Sequence, residues 1–308
     1  MELNKKGFVF SIIAIFIVAT AVLFALGLAR SDQLSELEVK TERVRTIDEF
    51  VQASLADAQT ALDIAGFNAL YGIQEYQLSN QALTPDVKDR LISLVKTGSY
   101  DGDEYVQINE SSLNIWESRI QSLGDLQGVD IILTEPEIAV WQRDPWVVSY
   151  NWTSNITYVD DLSNSVWDER IILQTHVQVN RFYEPYSRIL GNDNIKVEAA
   201  AEGEQTIEDI FADQTFVVNE DAPSYLQRLE GIEEGFTPDG NGIETLVNVD
   251  FYQNVIEYQS DSNSAQDWLF FSDTPIEEGD VCEVETGGFI QANQCDIYAV
   301  ESVVPLSE

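Results

Sequence analysis

The rhythm of hydrophobic and polar positions changes twice along the chain. From Phe8 to Ala29 the sequence runs 22 residues without a charge, apolar on every face of a helix. After Ser31, apolar or small residues recur at gaps of three and four: Leu37, Val44, Ile47, Val51, Leu55, Ala58, Leu62, Ala65 and Ala69. That spacing predicts a single helical stripe. No proline occurs between Lys5 and Leu83, so the two patterns can join in one rod of roughly 60 residues, about 90 Å long. A shorter helix is expected from Thr84-Pro85 as cap and first turn, closed by Gly98 after Lys96. Another is expected from about Ser111 to Leu123, with Leu113, Trp116, Ile120 and Leu123 on one face.

From about Val129 the texture becomes that of strands, rich in Val, Ile, Trp, Tyr and Thr. Thr175, Val177, Val179 and Arg181 alternate with His176, Gln178 and Asn180, the period of a half-buried strand. Asp144-Pro145 marks a break between consecutive strands, because proline cannot donate to a ladder. The block reads as an antiparallel sheet under the N-terminal helices. Farther on, "DAPSYLQRLEG" predicts a short helix from Pro223 to Glu230 stopped by Gly231; "DFYQNVIEYQ", "AQDWLFFSD" and a hairpin around Gly287-Gly288 predict further strands. The fold class expected is α+β. The chain divides into a terminus (1–7), an apolar span (8–29), a helical stalk (30–70), short helices (71–128) and a β-rich head (129–308) with a possible inner boundary near 200.

The span 8–29 corresponds to about 33 Å of helix, enough for a hydrocarbon core of about 30 Å. It is longer than the 7–15 apolar residues usual in a cleaved secretory signal. Lys5 and Lys6 precede it, while Asp32, Glu36 and Glu38 follow. The basic flank predicts a cytoplasmic N-terminus, a single pass through the plasma membrane and an extracellular remainder.

Lys6-Gly7-Phe8-Val9, running directly into the apolar segment, resembles the processing site of type IV prepilins and archaeal pilin-like proteins. The resemblance implies cleavage between Gly7 and Phe8, with the apolar helix retained. Bacterial pilins usually carry Glu five residues into the mature chain; Ile12 stands there, a departure that favours the archaeal variants. A plain anchor with a Lys-Lys-Gly flank explains the same residues. "PSYLQRLEG…GIETLVN" after a Trp-rich block resembles membrane-anchored surface proteins of small-genome archaea, a likeness that transfers no mechanism.

Charge then narrows the setting. The net charge is −38, from 54 acidic and 16 basic residues. Residues 201–308 hold 25 acids and one base, Arg228. That sign opposes a nucleic-acid role. The acids are dispersed among aromatic and branched residues, in a chain with 44% hydrophobic content, which predicts a folded protein rather than an acidic tail. Molar salt shortens the Debye length to about 3 Å and makes such self-repulsion tolerable, so a halophilic protein is expected. Outside a membrane, Cys282 and Cys295 are candidates for a disulfide across the Gly287-Gly288 hairpin, with free thiols as the alternative. Asn109, Asn151 and Asn155 each open an N-x-Ser/Thr sequon and are candidate glycosylation sites.

Catalytic chemistry is sparse. His176 is the only histidine, and no G-x-S-x-G elbow accompanies it, so a satisfied sheet histidine is expected over a general base. "TPDGNGIE" offers Asp239, Asn241 and Glu244, but Ile243 stands where an EF-hand loop wants an oxygen ligand; a surface turn is expected. "YDGDEY" around Asp101 and Asp103 gives the same expectation. Trp141, Trp146, Trp152 and Trp167 are expected as core or cross-strand partners rather than as a sugar-stacking platform. No metal, cofactor or catalytic residue is assigned. The function expected is binding or assembly at the cell surface, with the lipid bilayer, copies of the chain or other envelope proteins as partners. The alternative is a tethered hydrolase of envelope polymers.

Overall fold

The computed structural model describes residues 5–100, 103–104, 108, 110–163, 165–180, 182–189, 195–200, 210, 213–231, 237–246, 267, 280–283, 289–291 and 303–305. Side chains are described for Val22 and for these residues from 38 on, except 103–104, 280–283, 289–291 and 303–305. The class is α+β: helices packed on a three-stranded antiparallel sheet.

Helix α1 (Lys5–Asn80) is one uninterrupted helix of 76 residues, about 114 Å long at 1.5 Å per residue. It passes ten residues beyond the expected end of the stalk at 70. The expected span Phe8–Ala29 falls inside it as helix, with its side chains other than Val22 outside those described. Among the described residues, no helix is long and apolar enough to cross a membrane. Residues 38–42 are exposed, and burial begins with Ile47 and Val51. From there the predicted stripe is core: Ala58, Leu62, Ala65 and Ala69 are fully buried. The expected stalk is thus exposed at 38–42 and built into the folded body from Ile47 onward.

Helix α2 (Val87–Thr97) starts two residues later than the Thr84-Pro85 signal suggested. Asp86 at its N-cap is left-handed, and Thr84 is buried, its N–H bonded to the Leu229 carbonyl. Gly98 closes α2 as expected, at φ 73°. A short hairpin follows, β1 (Ser99–Tyr100) with β2 (Asp103–Glu104). Helix α3 (Leu113–Gln127) buries Leu113, Trp116 and Ile120 but leaves Leu123 48% exposed. The buried face continues four residues on, at Gly124, where an added Cβ would lie 2.5 Å from the Val129 carbonyl oxygen. Only glycine lets α3 approach the start of the sheet so closely.

Strands β3 (Val129–Asp144), β4 (Val147–Asp160) and β5 (Ser165–Gln178) form an antiparallel meander with β4 central. The Asp144-Pro145 break falls between β3 and β4, as expected. A bulge between Thr134 and Glu137 accommodates Pro136, which has no N–H to pair. On β4 the even residues Val148, Tyr150, Trp152, Ile156 and Tyr158 are buried against the helices. Trp116 and Trp152 meet edge to face at 5.4 Å, a favourable aromatic geometry. The odd residues of β4 from Asn151 to Val159 are open or half-open, so one face of the sheet is core and the other is largely wet.

The remaining described elements are α4 (Pro185–Ile189), β6 (Val217–Val218), α5 (Tyr225–Glu230), β7 (Ile243–Glu244), β8 (Asp280–Glu283), β9 (Phe289–Gln291) and β10 (Val303–Pro305). Helix α5 begins after Ser224, which forms a capping box with Gln227, and Gly231 ends it. Strands β8 and β9 pair around Gly287-Gly288, as the hairpin expectation required. The strands expected at 250–259 and 265–273 lie outside the described residues, apart from Asp267 itself. Two glutamines bolt α1 to this region. Gln74 Nε2 donates to the Tyr183 carbonyl and to Tyr225 Oη, each at 2.6 Å, and Gln77 Nε2 donates to the Leu229 carbonyl at 2.6 Å.

Candidate binding groove

A groove of about 1050 Å³ runs between α1 and β5. Its helical wall comes from a second stripe on α1, beside the buried one. Phe67 and Tyr71 line it at 50% and 39% exposure. Ile64 and Leu78, at 49% and 37%, continue the stripe at helical spacing. Gly66 brings the wall close to the sheet: a Cβ there would sit 3.0 Å from Tyr150 Cδ2 and 3.3 Å from Thr175 Cγ2. Phe182, Tyr183 and Lys196 line the groove beyond the end of β5. The Phe67 and Phe182 rings lie 5.4 Å apart.

The opposite wall is the edge of β5. The Val179 N–H donates to the Trp146 carbonyl at 2.9 Å, so odd-numbered residues here turn their backbone groups toward β4. Alternation sends the backbone groups of Gln174, His176 and Gln178 to the outer edge. Gln59 Nε2 caps the Gln174 carbonyl there at 3.2 Å. Among the described residues, no hydrogen-bond partner meets the backbone groups of His176 and Gln178. Thr175, Val177 and Val179 are buried while His176, Gln178 and Asn180 are exposed, as the alternation predicted; Arg181 lies outside the described residues.

His176 itself is satisfied. Arg143 Nη1 lies 2.8 Å from Nε2, and Ser149 Oγ lies 2.9 Å from Nδ1. Arginine can only donate, so Nε2 accepts and the ring proton sits on Nδ1, pointing at Ser149. The ring lone pair is thereby engaged by Arg143 and cannot take the Ser149 proton. Ser149 is also fully buried. The pair has the proximity of a nucleophile and a base but the reverse hydrogen-bond polarity.

The other sequence candidates separate. Asn151 and Asn155 both sit on the wet face of β4, half-buried and exposed respectively; Asn109 lies outside the described residues. Gly7 and Phe8 are within α1, their surroundings outside those described. Cys282 lies on β8 but its side chain, like Cys295, is outside the described set. Asp239 accepts from the Asn241 N–H at 3.0 Å and from Ser224 Oγ at 2.7 Å, a turn as expected, whereas Glu244 is buried against Asn219 Nδ2 at 2.9 Å. No group of three or more acidic, His or Cys side chains fit to hold a metal occurs among the described residues. Trp152 is core, and Trp146 and Trp167 are partly buried against the hydrophobic core as a whole. Trp141 is half-buried on the wet face, opposite Ser149.

Two charged sites escaped the sequence reading. Arg228, fully buried, bonds Asp267 through both terminal nitrogens (2.5 and 3.1 Å), Glu184 at 3.3 Å and the Ile243 carbonyl through Nε at 3.1 Å. Burial pushes the Glu184 carboxyl above its ordinary range, against the pull of Arg228. On the other side of the body, Arg43 of α1 holds Asp160 at the end of β4 at 2.8 Å. The Arg43 hydrogen bond, assisted by Ser163 and the Leu162 N–H, lowers Asp160 to about 2.

Comparison of the chain with protein-family models, curated proteins and solved structures finds no match in any of the three.

Proposed function

We propose that this is a single-pass, membrane-tethered protein whose acidic α+β head works outside the cell by binding or assembly, in a salt-rich setting. One observation carries the reading: α1 leads from an uncharged 22-residue segment without a break into the core of the head. A helix so built couples an anchor, or a filament-packing segment, rigidly to a folded domain. The Lys6-Gly7-Phe8 resemblance supports a pilin-like subunit within this class. The hydrolase alternative draws no support from Ser149 and His176, whose hydrogen bonds run the wrong way for base catalysis.

The test is the intact mass of the protein isolated from its native membrane. A chain beginning at Phe8 is expected on the pilin-like route, and one retaining Lys5 and Lys6 marks a plain anchor. A chain that has lost residues 8–29 would overturn the tether.

A further inference from the structure

We propose that Asn155 carries an N-linked oligosaccharide whose first sugars lie in a hollow on the wet face of the sheet, while Asn151 stays bare. The inference rests on the extracellular location proposed above. Both residues open a sequon on β4. The strand period of two sends Asn155 and Thr157, like Asn151 and Thr153, to one face. Their settings differ. Asn155 is exposed and lines a hollow of about 320 Å³ with Glu135, Glu137, Thr153, Ser154 and Arg170. Asn151 is half-buried and lies outside that lining. The β3 bulge opens the hollow. Asn155 pairs with Thr134 and Arg170, and Thr153 pairs with Glu137 and Ile172, so Glu135 and Pro136 stand out of the ladder between them.

The lining suits sugar hydroxyls, which both donate and accept. Glu135 and Glu137 offer acceptors, and Arg170 offers donors. Among the described residues, none of these three side chains, nor the Asn155 amide, has a hydrogen-bond partner. Ile132 and Ile172 are exposed, and the register makes them diagonal neighbours of Asn155, about 7–8 Å away. The C–H faces of the sugars would cover them. The hollow falls at the lower end of the range for small-molecule sites, about 300–1,000 Å³. Attachment replaces one N–H of the Asn155 amide. The bond from Nδ2 to the sugar C1 forms as the bond from C1 to the phosphate of a polyprenyl-linked oligosaccharide breaks. The amide proton passes to a base of the transferase, and the polyprenyl phosphate leaves. Because β4 is paired on both edges, its backbone is free to a transferase only before the sheet closes. The closed sheet then keeps the product, since the Asn155 side chain faces solvent.

The experiment takes the full chain from its native membrane. No Lys or Arg lies between Arg143 and Arg170, so trypsin leaves both sequons on one peptide, residues 144–170. Electron-transfer fragmentation, which keeps sugars attached, is expected to place one glycan mass on Asn155 and none on Asn151. N155Q and T157V, made in the same cells, should each abolish that mass, whereas T157S, which keeps the hydroxyl, should retain it. Hydroxyl-radical labelling of Ile172 should rise in N155Q as its cover is lost. An unmodified peptide would overturn the proposal, and so would a glycan on Asn151, with or without one on Asn155. Unchanged labelling of Ile172 would overturn the seating in the hollow. A membrane-impermeant amine reagent applied to intact cells and read at the exposed Lys88 and Lys196 judges the location separately. A labelled head with Asn155 bare sinks this proposal and leaves the extracellular reading standing; an unlabelled head sinks that reading itself.

Discussion

Arg43–Asp160 and the Arg228 cluster use the same chemistry at opposite degrees of enclosure. Arg43 keeps 23% of its side chain exposed, and Asp160 has hydrogen bonds from Ser163 and Leu162 as well. Arg228, Glu184 and Asp267 are at most 1% exposed. Removing Arg43 lets water reach the site and leaves Asp160 with other donors. Removing Arg228 strands two carboxylates in the interior with the only base of residues 201–308 gone. The first site fastens α1 to the end of β4 and, through the Gln127 carbonyl, to the end of α3; the second fastens the start of α4, α5, β7 and Asp267 together. Partners, rather than charge count, set the expected consequences.

The largest expected effect is that of R228M: a loss of about 3–5 kcal/mol in denaturant unfolding, because a buried pair is broken rather than replaced. A loss no larger than that of an exposed ion pair would dissolve the contrast. R43M should cost less, about 2 kcal/mol, the scale of a hydrogen bond to a charged group.

The pH dependence should carry opposite signs at the two sites. Asp160 has a folded value below its unfolded one, so its stabilisation is present above the ordinary carboxylate range and is lost as pH falls toward about 2. Glu184 has a raised folded value, so its contribution is full below the ordinary range and is lost as pH rises through the elevated one. Comparing the stability–pH curves of D160N and E184Q with the parent should show differences that change in opposite directions. Salt gives the smallest effect: the cost of R43M should shrink between about 0.1 M and 1 M salt as screening reaches the rim, while that of R228M holds constant.

Local signals carried much of the fold into the sequence. The strand onset at Val129, the break at Asp144-Pro145, the alternation around Thr175 and the stops at Gly98 and Gly231 are each decided by a few neighbouring residues. Expectations shifted where packing against a distant segment chose between two local options. Leu123 and Gly124 fit the same helical face, and the close approach of Val129 selected the glycine. Thr84 would serve as a cap, but the Leu229 carbonyl drew its N–H into the core. The groove was half legible, since Ile64, Phe67, Tyr71 and Leu78 repeat at helical spacing beside the buried stripe. Its other wall was not, because edge position depends on which strands pair. The Arg228 cluster joins residues 39 and 44 positions away from the arginine, distances over which no periodicity speaks.

The unbroken course of α1 also makes the head's azimuth a matter of counting. Each residue in the exposed stretch 38–42 advances the helix by about 100° and about 1.5 Å. Inserting one residue there would turn the β5 groove about a quarter of the way round the rod relative to whatever grips the N-terminal half. Inserting seven, close to two full turns, would restore its bearing and lift it by about 10 Å. The direction in which the head faces its neighbours is thus written as a phase in the length of a helix, independently of any contact the head makes.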